Sequence, residues 1–190
     1  MAQATMAMVT NMRNHGTFAP RRRERSFVRK NASLAALFAP GALFALGMVL
    51  LAQDDRFAWL RSIATLRWEI WAIGAFGGVA TFAGLLDHRL HLKLGAKVGP
   101  KERAVELAAL VLGGIPLFVL MAMATFTHGA FLLLPVVAQT VFVAVLVAYD
   151  EIRFHSHRCG TYETVLHRVL VFGQAGALLA WMHLCFVRPM

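Results

Sequence analysis

Residues 130–149 read AFLLLPVVAQTVFVAVLVAY, twenty consecutive positions without a charge. A bilayer-spanning helix needs about 20 predominantly apolar residues, and this run supplies them. Four further runs are comparable: Leu34–Ala52, Trp68–Leu86, Ala104–Phe126 and Val169–Val187. Only 15% of the 190 residues are charged, against about 25% in soluble domains, so little sequence is left for a soluble domain. The pattern predicts an all-α, polytopic integral membrane bundle of five transmembrane helices over 34–187. Residues 1–33 form a basic N-terminal tail without apolar periodicity, expected to be disordered.

The net charge of +9 follows the membrane rather than a nucleic acid. With the N-terminus in the cytoplasm, the inner segments 1–33, 87–103 and 150–168 carry seven, five and three Lys/Arg. The outer segments carry three, none and one. That bias sets the N-terminus inside and the C-terminus outside. The expected location is a bacterial inner membrane, with the lipid bilayer as a partner and no nucleic acid. Asp54–Asp55 falls on the outer side, near Trp59, Trp68 and Trp71, whose amphipathic rings suit the interface. Arg67 and Glu69, at the outer end of the second run, are expected to be interfacial and to pair with each other. RRRERSFVRK before an apolar run has the wrong spacing for a twin-arginine signal, so it is assigned as a topology anchor that meets anionic lipid.

Several small residues interrupt the runs. Pro40–Gly41 predicts a kink in the first, and AIGAFGGVATFAG in the second permits close helix contact. Gly77–Gly78, Gly113–Gly114 and the GQAG at 173–176 are expected to be packing positions. Cys159 and Cys185 should lie on opposite sides of the bilayer, with Cys185 a buried small apolar residue.

Downstream of the quoted run, residues 149–167 read YDEIRFHSHRCGTYETVLH. Glu151 and His155 are four apart, as are Glu163 and His167, and residues four apart share a helix face. Gly160 suits a helix C-terminus and Thr161 the N-cap of the next helix. In such a tight hairpin Glu151 comes level with His167, and His155 with Glu163. Asp87 and His91 repeat the spacing at the inner end of the second run, with His88 beside them. Glu106 begins the third run on the same side.

Carboxylate plus imidazole is a ligand set for iron, manganese or zinc, and helical bundles hold such metals between facing helices. The candidate ligands are Asp87, His88, His91, Glu106, Glu151, His155, Glu163 and His167. Iron is the foremost ion, mono- or binuclear, with manganese or zinc as alternatives. The i, i+4 spacing differs from the Glu-x-x-His of soluble di-iron bundles. In layout the cluster is similar to the membrane histidine-box hydroxylases and desaturases, with histidines gathered at cytoplasmic helix ends. It lacks their adjacent His–His pairs, so membership of that group is not implied.

The expected function is a small inner-membrane metalloprotein, an oxidoreductase that oxidises or hydroxylates a lipid-soluble substrate. The alternative is a non-catalytic subunit or assembly factor of a membrane complex, its acids and histidines forming a salt-bridged cap and its glycine-rich faces docking partner subunits. A transporter is disfavoured, because ionisable residues are missing from the middle of the spans. His128 and His183, in the outer half, are either interfacial hydrogen-bonders or a haem-ligating pair.

Overall fold

The computed structural model describes residues 21–94, 99–127, 129–155 and 160–187. The described residues are helical or in short turns, with no strand among them. The chain divides into two units, 1–36 and 37–190. In the first, helix α1 (Arg21–Leu51) starts at the basic cluster. The sequence predicts a disordered tail through residue 33, but residues 21–33 are helical. Arg and Lys are good helix formers, and the segment contains neither Gly nor Pro.

In the second unit, the apolar end of α1, Leu37–Leu51, is shorter than a full span. Two short 3₁₀ turns, Asp55–Leu60 and Ile63–Thr65, lead to α2 (Trp68–Leu94). Helix α3 (Pro100–Ala108) passes through a π-helical turn, Ala109–Gly114, into α4 (Ile115–Thr127). Helix α5 (Leu133–Asp150) ends in a π turn, Glu151–His155, and α6 (Thr161–Met182) ends in another, His183–Val187. Among the described residues, four stretches are long and apolar enough to cross a membrane: Trp68–Lys93, Ala109–Thr127, Ala130–Arg153 and Thr161–Val187. They mark an integral membrane protein whose apolar helices contact lipid. Leu134 and Phe172 are about three-quarters exposed, as residues facing acyl chains would be.

Helices α2 and α6 form the most extensive contact in the unit. They run antiparallel, and glycine lets them approach. A Cβ on Gly173 would stand 2.9 Å from Ala80 Cβ and 2.9 Å from the Phe76 carbonyl oxygen. One on Gly176 would meet the Phe76 ring at 2.9 Å, and one on Gly84 would meet Leu170 at 2.8 Å. Lipid tails are as apolar as the helices, so such close packing replaces the hydrophobic effect as the source of association. Gly77 and Gly78 have open space around them, so they are not the packing glycines of this pair.

Helices α4 and α5 form a second pair, and a proline shapes their contact. Pro116 has no N–H, so the carbonyl of Leu112 one turn back loses its helical donor. Gln139 on α5 supplies one: its Nε2 donates to Leu112 O at 2.7 Å and to Gly113 O at 3.0 Å. Gly113 makes room, since a Cβ there would lie 2.9 Å from Val143. The two pairs meet in a core of Ala124, Leu132, Val136, Trp181 and Cys185. Trp181 Nε1 donates to Thr125 Oγ1 at 3.1 Å, and that hydroxyl donates to Met121 O at 2.9 Å. Cys185 is a buried free thiol, while Cys159 lies outside the described residues.

Gly173→Ala should destabilise the detergent-solubilised protein by about 1–3 kcal/mol, because the added methyl meets backbone and cannot be accommodated without a shift. Gly77→Ala should be neutral or stabilising by up to about 1 kcal/mol, because it gains helix propensity in open space. Thermal or denaturant unfolding of the two variants side by side checks the expectation.

Candidate metal centre at the ends of three helices

Antiparallel packing brings the C-terminal end of α2 to the N-terminal end of α6. Asp87 and His91 project one turn apart from α2, and Glu163 and His167 one turn apart from α6. The two motifs run in opposite directions, so each acid meets the other helix's histidine. His91 Nε2 donates to Glu163 Oε1 at 2.6 Å, and His167 Nε2 lies 3.4 Å from Asp87 Oδ2. Within α2, His91 Nε2 is 3.7 Å from Asp87 Oδ1.

The π turn that follows α5 adds a third helix end. His167 Nδ1 lies 3.3 Å from Glu151 Oε2, the level pairing that hairpin geometry predicts. The result is an alternating row: Glu163, His91, Asp87, His167, Glu151. The four acid–imidazole steps bind α2, α5 and α6 together at one end of the bundle. Helix dipoles add to it. Glu163 sits in the first turn of α6 and His91 in the last turn of α2, the ends that favour negative and positive charge respectively.

Asp87, His91 and Glu163 form a possible metal-binding group, each offering one donor atom, all within 4.8 Å of one another. A first-row metal ligated at about 2.0–2.2 Å needs donors about 3–3.5 Å apart. The His91–Asp87 separation of 3.7 Å is close to that value. The His91–Glu163 contact of 2.6 Å would have to open by less than about 1 Å. Asp87 Oδ1 is buried and accepts no hydrogen bond, which leaves a lone pair for a cation. His167, held between Asp87 and Glu151, is placed to orient the Asp87 carboxylate, as partners behind metal ligands do.

Among the other predicted ligands, His88 is half-buried and is not one of the three grouped donors. The side chains of Glu106 and His155 lie outside the described residues, although their backbones are helical. The predicted His155–Glu163 pairing therefore falls outside them too. Gly160, rather than Thr161, is the N-cap of α6, with extended backbone at φ −70° and ψ 162°. Thr161 starts the helix, and Thr164 Oγ1 donates to the Gly160 carbonyl at 3.2 Å.

The opposite end of the α2–α6 pair carries a contact that sequence alone assigns differently. Glu69 pairs with His183 rather than Arg67: His183 Nδ1 donates to Glu69 Oε1 at 2.9 Å. Glu69 is fully buried. The Trp68 ring packs against the imidazole at a centroid distance of 5.2 Å. Arg67 lies over the Trp59 ring. The sequence carried no signal for this pairing: the antiparallel α2–α6 register, which makes Glu69 level with His183 once Asp87 is level with His167, emerges only from the fold. His128, the other half of the haem alternative, lies outside the described residues.

His183→Leu should cost about 1–3 kcal/mol of stability, since it removes one hydrogen-bond donor from the buried Glu69 carboxylate. Glu69→Gln/His183→Leu should lose less than the two single variants' costs combined, because the coupled groups go together. A double-mutant cycle on thermal unfolding in detergent measures this coupling.

No protein-family model matches the chain, and no curated protein or solved structure shows significant similarity to it. Its function has to be inferred from the chemistry of these side chains.

Proposed function

We propose that the chain is a small integral membrane metalloprotein of five spans, with its N-terminus in the cytoplasm and its C-terminus outside. Its metal site lies at the cytoplasmic helix ends of a bacterial inner membrane. The observation that carries this proposal is the convergence of Asp87, His91 and Glu163 donors from two helices within 4.8 Å. Asp87 and Glu163 supply hard oxygen donors and His91 an imidazole nitrogen, a set that suits iron, manganese or zinc. His167 and Glu151 hold the Asp87 carboxylate from behind. A bound redox metal would supply dioxygen activation, and the reaction class we propose is oxidation or hydroxylation of a lipid-soluble substrate. The helix ends lie where such a substrate can arrive sideways from the bilayer.

A second possibility has its own support. The direct 2.6 Å contact between His91 and Glu163 is a short charge-assisted hydrogen bond. The alternating row links its five members to one another without a cation. On this basis the cluster is a structural cap, and the chain is a non-catalytic subunit or assembly factor of a membrane complex.

Metal content separates the two. Detergent-purified protein, loaded with ferrous, manganous or zinc ion and desalted, should retain one or two ions per chain by plasma mass spectrometry. His91→Ala should lose them, and His167→Ala should weaken binding by about 10–100-fold through the loss of the orienting partner. His183→Ala, at the other end of the bundle, should retain them. Equal retention in wild type and His91→Ala, both monodisperse and folded, would eliminate the metal centre. Absence of retained metal from folded wild type would favour the cap.

A further inference from the structure

The segment between α1 and α2, residues 52–67, holds three arginines and two acids. Two of the arginines are matched. Arg56 is paired with Asp54 at 2.6 Å. Arg61 is paired with Asp55 at 2.7 Å and also donates to the Ala52 carbonyl at 2.8 Å. The next carboxylate, Glu69, accepts from His183. Among the described residues, Arg67 is left without a carboxylate. Its guanidinium stacks on Trp59, 4.5 Å from the ring centroid.

The same stack holds two unused donors. Arg67 Nη1 and Trp59 Nε1 are both buried, and neither has an acceptor among the described residues. Buried N–H groups are seldom left unsatisfied, because each costs its full desolvation penalty. The surroundings fix them in place. Thr65 Oγ1 donates to the Trp59 carbonyl at 2.9 Å and is also 2.9 Å from the Ser62 carbonyl, and Phe57 anchors the first 3₁₀ turn in the interior. The guanidinium lies against the indole, and one tetrahedral anion accepting from each donor at about 2.8–3.0 Å would bridge the two side chains.

We infer that Trp59 and Arg67 bind the phosphate of a phospholipid headgroup. Arg is the side chain best matched to phosphate oxygens, and it directly precedes the first residue of a membrane span. That position is headgroup depth, where tryptophan side chains also collect. The adjoining surface is apolar and open: Ile63 is 76% exposed, Trp68 52% and Trp71 56%. These side chains suit the glycerol and upper acyl region of a lipid, which a free phosphate ion lacks. The site is independent of the carboxylate–imidazole cluster, which lies about 30 Å away at the other end of α2.

The test is native mass spectrometry of delipidated, detergent-purified full-length protein titrated with phosphatidylglycerol. A phosphate-free diacylglycerol and inorganic phosphate serve as comparison probes. Arg67→Gln should weaken phosphatidylglycerol binding by more than about tenfold, the scale of a lost hydrogen bond to a charged group. Trp59→Phe, which keeps the ring and removes the N–H, should weaken it by about three- to tenfold. Arg56→Gln should leave it unchanged, and diacylglycerol should bind wild type and Arg67→Gln alike. If Arg67→Gln fails to fold, Arg67→Lys replaces it and should still weaken binding measurably, because the planar fork is lost. Unchanged affinity in the Arg67 variant, or an equal loss in Arg56→Gln, overturns the site. Competition by millimolar inorganic phosphate as effective as that of the lipid overturns the lipid assignment.

Discussion

The contact on which the rest depends is the glycine-mediated approach of α2 and α6. Where Gly173 and Gly176 pass Phe76 and Ala80, the helix surfaces have no side chains to hold them apart. Between helices in lipid, association comes from dispersion and polar contacts, so every tenth of an ångström of approach matters. The register fixed there propagates along both helices. It sets Asp87 against His167 and His91 against Glu163 at one end, and Glu69 against His183 at the other. Both sets of polar contacts depend on the same packed middle. A register slip of one residue would rotate the charged groups by about 100° and part them all.

Polar groups in this bundle also coincide with irregular backbone. Each of the three π turns among the described residues adjoins a polar contact. Ala109–Gly114 receives the Gln139 amide, Glu151–His155 presents Glu151 to His167, and His183–Val187 begins with the histidine that serves Glu69. Wider turns of this kind are frequent at functional sites, and in an apolar bundle they need local polar compensation. For the first the chain of cause is complete. Pro116 removes a donor, the helix widens, and Gln139 makes the missing bonds.

How much of this could be seen in the amino-acid order depends on the element. The long apolar runs stand out because length and charge depletion are one-dimensional signals. The acid-x3-His pairs stand out because a helix period is local. The Glu151–His167 contact forms where the end of α5 meets the start of α6 across a short connection, but α6 packs along its length on α2 rather than on α5, so the side-by-side hairpin read from the sequence is not the packing observed. The partnership of α2 with α6 is different. Their contacts join residues such as Glu69 and His183, far apart in sequence, and lipid gives no hydrophobic pattern that marks which face meets a helix. The same blindness explains the glycines. Gly77–Gly78 looks more like a packing motif than Gly84, yet Gly84 lies against Leu37 and Leu170 while Gly77 and Gly78 face open space. It also explains why Arg67 and Glu69, close in sequence, take different partners: α6 offers Glu69 a histidine, and Trp59 offers Arg67 a ring.

The alternating row of three carboxylates and two imidazoles has a charge problem that bears on what it does. With both imidazoles protonated the five groups still sum to −1, and with both neutral they sum to −3. Negative charge gathered at half-buried helix ends is costly unless a cation shares it. Arg89 and Arg153 lie on the same helix ends, but both are exposed and no ion pair joins either to the row among the described contacts. A divalent ion between Asp87, His91 and Glu163 would remove two charges where they are densest. It would also use the Asp87 oxygen that accepts no hydrogen bond. Among the described residues the row holds one more carboxylate than imidazole, and a divalent ion where Asp87, His91 and Glu163 converge would offset that excess, which supports the metal centre proposed above.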